Sequence, residues 1–256
     1  MPRYKLLIAY DGTGYQGWQR QPSGRSIQGA LEATLFDLFD RRVDVVGSGR
    51  TDAGVHALGQ VAHVDLDLSL PPKALVSAMN SHLPMDIRIR QALQVPETFH
   101  ARYSAVKRAY IYLIRHGGGI SPFTRNYALH MSSPLNLERM NQAASLLVGE
   151  HDFSAFRATG GGRTQPIRMV FTSKVFPVKQ NLLCYLVVAD AFLRKMVRGI
   201  VGTLLEIGLG KSDPDLITRL LTTGNRTMMG TVVPPQGLFL AAVTYPPLRP
   251  GEEENG

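Results

Sequence analysis

The chain has 256 residues, 44% hydrophobic and 19% charged, with one cysteine and a formal net charge of +8. That length fits one large domain or two halves sharing a core, and the composition excludes disordered, collagen-like and disulfide-stapled classes. No apolar run is long enough to span a membrane, the first residues do not read as a signal peptide, and a lone Cys184 in Leu182-Leu-Cys-Tyr-Leu reads as a core thiol; a cytoplasmic, membrane-free protein is expected.

In chain order, Arg3 to Tyr10 alternates around Leu6-Leu-Ile8 and runs into Asp11-Gly12, predicting a strand and turn. Ile27, Ala30, Leu31, Leu35, Leu38 and Phe39 at helical spacing behind Ser26 predict a capped helix. Val43 to Val46 reads as a short strand into a glycine-rich segment and Val61 to Leu68 as a strand out of it. Pro71-Pro72 opens a helix to His82, and Ile87 to Val95 is a strand. The second half gives a strand over Ala109 to Arg115, a loop at Gly117 to Gly119, a helix over Leu135 to Val148 and a loop at Gly160 to Arg163. A hairpin over Ile167 to Val178 and Asn181 to Val188 follows. A long helix from Ala191 to Ile207 is expected next, then a short one from Asp213 to Leu221 and a strand over Leu238 to Val243. In the long helix, Phe192, Met196, Ile200 and Leu204 would face the core, with Arg194 and Arg198 forming a basic stripe at i,i+4 spacing. Strands outnumber helices and most connections are hairpin-like, so the expected class is α+β, two similar halves (1–105 and 106–246) with mostly antiparallel sheet, and a frayed polar tail over 247–256.

The positive balance points to a polyanionic partner, most simply nucleic acid. Of the 28 basic residues 21 are arginine, which suits planar contacts to phosphates and bases. Two glycine loops stand out. Gly12-Thr-Gly-Tyr-Gln-Gly17 fits GxGxxG after a strand, but loop continues through Gly24 where a dinucleotide-binding helix should begin. Tyr15, Trp18, Arg20 and Arg25 make it instead an expected RNA-contacting loop, since aromatics and guanidiniums stack on unpaired bases. Gly47-Ser-Gly-Arg-Thr-Asp-Ala-Gly-Val-His-Ala57 carries Asp52 where a third glycine would stand, and a carboxylate there would repel a pyrophosphate. Alternation in an extended loop would bring Arg50 and Asp52 to one face, the arginine keeping the carboxylate ionised as a nucleophile or electrostatic stabiliser requires. Gly49 and Gly54 would let a flat ligand approach the backbone. His56 and His63 lack metal-ligand spacing, no GxSxG elbow occurs, and no metal or cofactor is expected.

Gly47 to Ala57 resembles the signature of the TruA family of tRNA pseudouridine synthases. Tyr10-Asp-Gly-Thr-Gly-Tyr-Gln-Gly-Trp-Gln19, Phe99-His-Ala-Arg-Tyr-Ser-Ala105 with Tyr110-Ile-Tyr112, His151-Asp-Phe-Ser-Ala-Phe156, Phe192 to Gly202 and Gly237 to Val243 are similar to further blocks of that family, in order. The resemblance implies the pseudouridine synthase fold, two halves flanking a central RNA-binding cleft, the first carrying the catalytic loop and the second completing the active site. It implies cofactor-independent conversion of uridine to pseudouridine at about positions 38 to 40 of the tRNA anticodon stem-loop, by a homodimer. It carries over Asp52 as nucleophile, Arg50 as the partner that displaces the target base, Tyr110 as the ring stacking on the flipped uracil and Arg198 as the basic residue pairing with the aspartate. Thr51, His56, Arg20, Leu238 and Leu240 join Tyr110 as expected substrate-binding positions, with Leu238 or Leu240 as an apolar wall of the pocket. Arg108-Ala-Tyr110 departs from the Lys-x-Tyr of many members but keeps the charge.

The chemistry accords with these residue types. The N1–C1′ bond breaks, the same base rejoins through C5, and the C5 proton is lost, without redox or phosphoryl transfer. An ionised aspartate can attack or stabilise C1′, or assist removal of the 2′ proton. The base must first leave its stack, which costs a few kcal/mol. The rival reading is a non-catalytic basic RNA-binding module; a nucleotide-dependent oxidoreductase is remoter.

Overall fold

The computed structural model describes residues 1–117, 119–158 and 165–247. Gly118, the loop expected at 160–163 and the tail beyond 247 lie outside the described residues. The chain divides into two compact units, one of residues 1–106 with the segment from Leu240, the other running from Lys107 to Phe239.

The first unit contains β1 (Arg3–Tyr10), α1 (Ile27–Phe39), β2 (Val46–Gly47), β3 (His56–Asp65), α2 (Pro72–His82) and β4 (Ile87–Val95). β1 is central, antiparallel to β3 and to β4, and β2 pairs with β3. The alternation read from the sequence is the burial pattern: Tyr4, Leu6, Ile8 and Tyr10 all point into the core. Ser26 caps α1 by accepting from the Gly29 N–H, and Asp40, left-handed at φ 51°, ends it.

The second unit contains β5 (Lys107–His116), β6 (Leu129–Met131), α3 (Leu137–Ser145), β7 (Gly149–Asp152), β8 (Ile167–Lys179), β9 (Leu182–Ala189), α4 (Met196–Gly208) and α5 (Leu216–Thr223). Its strand order is β5-β9-β8-β7, all antiparallel, with β6 parallel to β5 at Ile114–Leu129. The last strand, β10 (Leu238–Thr244), has its first two residues in this unit and the rest in the first. There Gly59 of β3 lies against Ala241, so closely that a Cβ would stand 2.6 Å from its carbonyl oxygen. The class is α+β with mostly antiparallel sheet, as expected. Cys184 is a buried core thiol, its pKa pushed by burial up to about 11. Among the described residues no helix is long and apolar enough to cross a membrane.

Four expected elements are corrected. β3 begins at His56, not Val61, because Ala57 and Gln60 already pair with Tyr10 and Ile8. β2 is only Val46–Gly47; Val43 and Val45 are buried without strand pairing. α5 begins at Leu216, not Asp213. α4 begins at Met196, not Ala191, because Lys195 is left-handed at φ 61° and the Arg194 carbonyl accepts from Ala158 instead of from its own next turn. Phe192 and Arg194 therefore lie outside the helix, and the Arg194–Arg198 stripe does not form. β6 and β7, of three and four residues, were too short to show a period.

One buried histidine makes the first unit sensitive to acid. His63, 5% exposed on β3, accepts the Ala101 N–H at its Nδ1 (3.1 Å), and its ring lies 4.9 Å from that of His100. Burial first, then Arg3 and His100, lower its pKa to about 4 against the opposing pull of Asp65. The unfolded histidine titrates near its ordinary 6.5, so between these values the unfolded chain binds the extra proton and stability rises with pH. The contribution is complete above pH 6.5 and lost as pH falls toward 4. Denaturant titrations over that range should show wild type losing on the order of 1–3 kcal/mol more than His63→Asn, which keeps an acceptor but no titration. Parallel pH profiles would contradict this origin.

Candidate functional site

In the first unit the Asp52 loop and the Gly12–Gly17 loop are built against each other. The Gly12 N–H donates to His56 Nδ1 (3.0 Å), Trp18 N–H to the Thr51 carbonyl (3.1 Å) and Gly54 N–H to the Tyr15 carbonyl (3.2 Å). Approach is so close that a Cβ on Gly12 would stand 2.0 Å from the Val55 oxygen, and one on Gly17 2.5 Å from the Thr51 oxygen. Gly54 is glycine for its backbone, at φ 75°. Gly47 makes room for the Trp18 ring, which a Cβ would meet at 2.5 Å, whereas Gly49 faces open space.

Buried polar pairs fix both sides of the loop. Tyr10 Oη and Thr51 Oγ1 are 2.8 Å apart in the core, and Ser48 Oγ donates to Gln60 Oε1 (2.7 Å) while Gln60 Nε2 donates to the Gly49 carbonyl (3.0 Å). Tyr10, Ser48 and Gln60 escaped the sequence reading. The available signal was a glutamine, fully buried, in the apolar run of β3. Arg50 and Asp52 thus sit on a loop whose neighbours are held, Arg50 exposed and Asp52 half-buried. The ion pair expected between them is not formed: among the described residues Arg50 makes none.

The other first-unit candidates divide by burial. Thr51 and His56 are buried, so their side chains brace the loop, and His56 Nδ1 also lies 3.1 Å from Asp11 Oδ1. Arg20 is exposed and paired with Glu32 at 3.2 Å. The expected stacking by Tyr15 and Trp18 is corrected: they are 4% and 3% exposed, the Trp18 ring lying against Gly47 of the loop. Tyr15 donates to Asp86 (2.5 Å) and accepts from Arg25 (3.0 Å), and burial with Asp86 raises its pKa well above the usual phenol value.

In the second unit Tyr110 lies half-buried on β5, its ring edge-to-face with Phe192 at 5.0 Å. Two residues on, Tyr112 is fully buried and donates to the Pro234 carbonyl (2.7 Å); burial raises its pKa, with Arg198 pulling it down. Arg198, in the first turn of α4, donates from Nε to the Val233 carbonyl (2.7 Å). The 229–237 segment thus ties β5 to α4. Glycines seat it: Gly202 would place a Cβ 1.9 Å from the Thr231 oxygen, and Gly237 one 2.7 Å from the Tyr112 ring. Leu238 and Leu240 are buried and share one face of β10. Among the described residues no group of three or more His, Cys, Asp or Glu could hold a metal ion.

The contact between loops has a direct test. Gly12→Ala should destabilise the protein by about 1–3 kcal/mol, as overpacking against rigid backbone does, and should red-shift the emission of Trp18, the chain's only tryptophan. Unchanged unfolding and emission would show that the loops are not pressed together.

Comparison with known proteins follows the same residues. A family model described as "tRNA pseudouridine synthase" matches residues 6–104 and 143–246. Curated proteins called tRNA pseudouridine synthase A are similar along nearly the whole chain. That of Thermoanaerobacter sp. (strain X514) is 42% identical over 96% of this chain and all of its own length, that of Geotalea daltonii 44% over the same shares, and that of Exiguobacterium sp. 42% over 96% of this chain and 98% of its own. With its glycine-braced aspartate loop and a family match over both units, the chain belongs to the TruA family of tRNA pseudouridine synthases and is an isomerising enzyme.

Proposed function

We propose that this protein converts uridine to pseudouridine at positions 38 to 40 of the tRNA anticodon stem-loop, with Asp52 as the nucleophile and no cofactor. The observation that carries the reading is the Asp52 loop itself: a half-buried carboxylate on a backbone held by Gly12, Gly17, Tyr10 and Gln60, in a chain of net charge +8. Such a group acts by position, and the loop that carries it is held from both sides.

The reaction assigns the remaining roles. Breaking N1–C1′ develops positive charge at the anomeric carbon, which a carboxylate stabilises or captures; C5 then bonds to C1′ and loses its proton to solvent. Arg50, exposed on the same loop, displaces the target base from its stack. Tyr110, braced edge-on by Phe192, recovers part of that cost, since stacking of a base on an aromatic ring contributes roughly 1–3 kcal/mol. Arg198, anchored to the Val233 carbonyl, supplies the basic partner of the aspartate. Leu238 and Leu240 form an apolar wall that keeps the detached uracil from water. Thr51 and His56 serve substrate binding through the loop they hold, and Arg20 through its exposed charge. We place the protein in the cytoplasm as a homodimer, residues 1–105 carrying the aspartate loop and 106–246 completing the site.

With tRNA tritiated at uridine C5, wild type should release label, and Asp52→Ala should lower release at least 10³-fold while holding tRNA within a few-fold of wild-type affinity. Release surviving Asp52→Ala would remove the nucleophile; no release by wild type would favour a non-catalytic RNA-binding module. Light scattering should give twice the chain mass, and a monomer mass would contradict the dimer.

A further inference from the structure

The turn that leads out of the first unit's sheet holds one aromatic ring in solvent on a backbone tied by several hydrogen bonds. Tyr103 is 77% exposed, while Ala101, two residues before it, is completely buried. His100 Nδ1 accepts from the backbone N–H groups of both Arg102 (3.1 Å) and Tyr103 (3.2 Å), and Ser104 Oγ accepts from His100 N–H (3.0 Å). The Ser104 N–H closes the turn onto the His100 carbonyl (2.9 Å). Below, Ala101 N–H bonds to His63, and its carbonyl accepts from Tyr245 Oη at 2.6 Å. The backbone is therefore fixed on both sides of the exposed ring.

The ring is fixed as well. Its centroid lies 4.3 Å from that of His100 with the planes 33° apart, a partial stack, and the Arg102 guanidinium is 5.7 Å from it. An imidazole backs one side of the phenol, and at this exposure the other side meets water. Burying an aromatic ring stabilises a fold; leaving it out on a rigid turn beside an arginine does not. The combination has the chemistry of a stacking platform for a flat π-face, with a cation for the neighbouring phosphate.

We propose that Tyr103, backed by His100 and flanked by Arg102, is a preformed stacking site for an unpaired tRNA base outside the catalytic nucleotide. The inference rests on tRNA being the substrate. Net charge +8 and the adjacent guanidinium favour RNA over a protein partner. Stacking contributes to holding the tRNA, so its loss raises Kd and KM together, more than it lowers kcat.

The test uses the full-length protein and an unmodified tRNA transcript. Tyr103→Ala should weaken binding roughly 5- to 150-fold, the range expected for one lost base–aromatic stack, and raise KM in parallel; Tyr103→Phe should restore both. Tyr103→Trp should show emission quenched on adding tRNA beyond any change that tRNA causes in the buried Trp18 of wild type. Affinity and KM within twofold of wild type for Tyr103→Ala, with no quenching in Tyr103→Trp, would overturn the platform. Loss of tRNA affinity only together with loss of the dimer mass would overturn it too, by showing that the ring meets a second copy of the chain. Label release by wild type is measured in the same series: its absence refutes the tRNA-modifying reading, while its presence with an unaffected Tyr103→Ala refutes the platform alone.

Discussion

The first unit turns on a backbone-to-backbone contact. Gly12 and Gly17 press against the carbonyls of Val55 and Thr51 at distances that no side-chain-bearing residue tolerates. A reactive carboxylate on an isolated turn would sample many positions, and effective molarity falls steeply once reacting atoms are misplaced by about 1 Å. The glycines turn two loops into one bonded layer, in which the Gly12 N–H reaches His56 and the Trp18 N–H reaches Thr51. The buried residues around them make sense on these terms. Tyr10 and Gln60 are polar in the core because each completes a hydrogen bond that the loop backbone or Thr51 cannot find elsewhere. The Trp18 ring fills the space that Gly47 leaves open.

The second unit solves a similar problem with a strap. Residues 229–237 cross between β5 and α4, seated on Gly202 and Gly237, and collect hydrogen bonds from Arg198 and Tyr112. An arginine so anchored keeps its remaining N–H groups in a fixed fork, which a lysine at the same place would not provide. Tyr110 gains its orientation more simply, from an edge-to-face contact with Phe192 and from the strand that buries Tyr112 two positions on. In both units the residues assigned to chemistry are partly accessible, while Tyr10, Gln60 and Tyr112 beside them are buried.

Much of this was legible in the sequence where one physical rule acted alone. β1 and β4 showed their bounds through alternation and flanking turns, and α1 through Ser26 and its apolar spacing. Where tertiary contacts overrode local pattern, legibility stopped. Nothing local marks Lys195 as left-handed or gives the Arg194 carbonyl to Ala158, so the apolar period of α4 seemed to run five residues too early. At the site, Asp52 stood out because an acid occupies a glycine position, a signal of composition. The Arg50–Asp52 pair was inferred from spacing, which fixes neither the burial nor the direction of a loop side chain. Tyr15 and Trp18 read as surface stackers for the same reason: an aromatic in a glycine loop looks alike whether it faces RNA or fills the floor.

The role proposed for Asp52 is that of nucleophile at defined uridines of the anticodon stem-loop. The most direct measurement is nucleotide-resolution mapping of pseudouridine by carbodiimide adducts and primer extension, on an unmodified tRNA carrying uridines at 38 to 40, after incubation with wild type or Asp52→Ala. Adduct stops are expected at those uridines with wild type and none with the variant. Stops that persist with Asp52→Ala, or that fall elsewhere in the tRNA, would contradict that role.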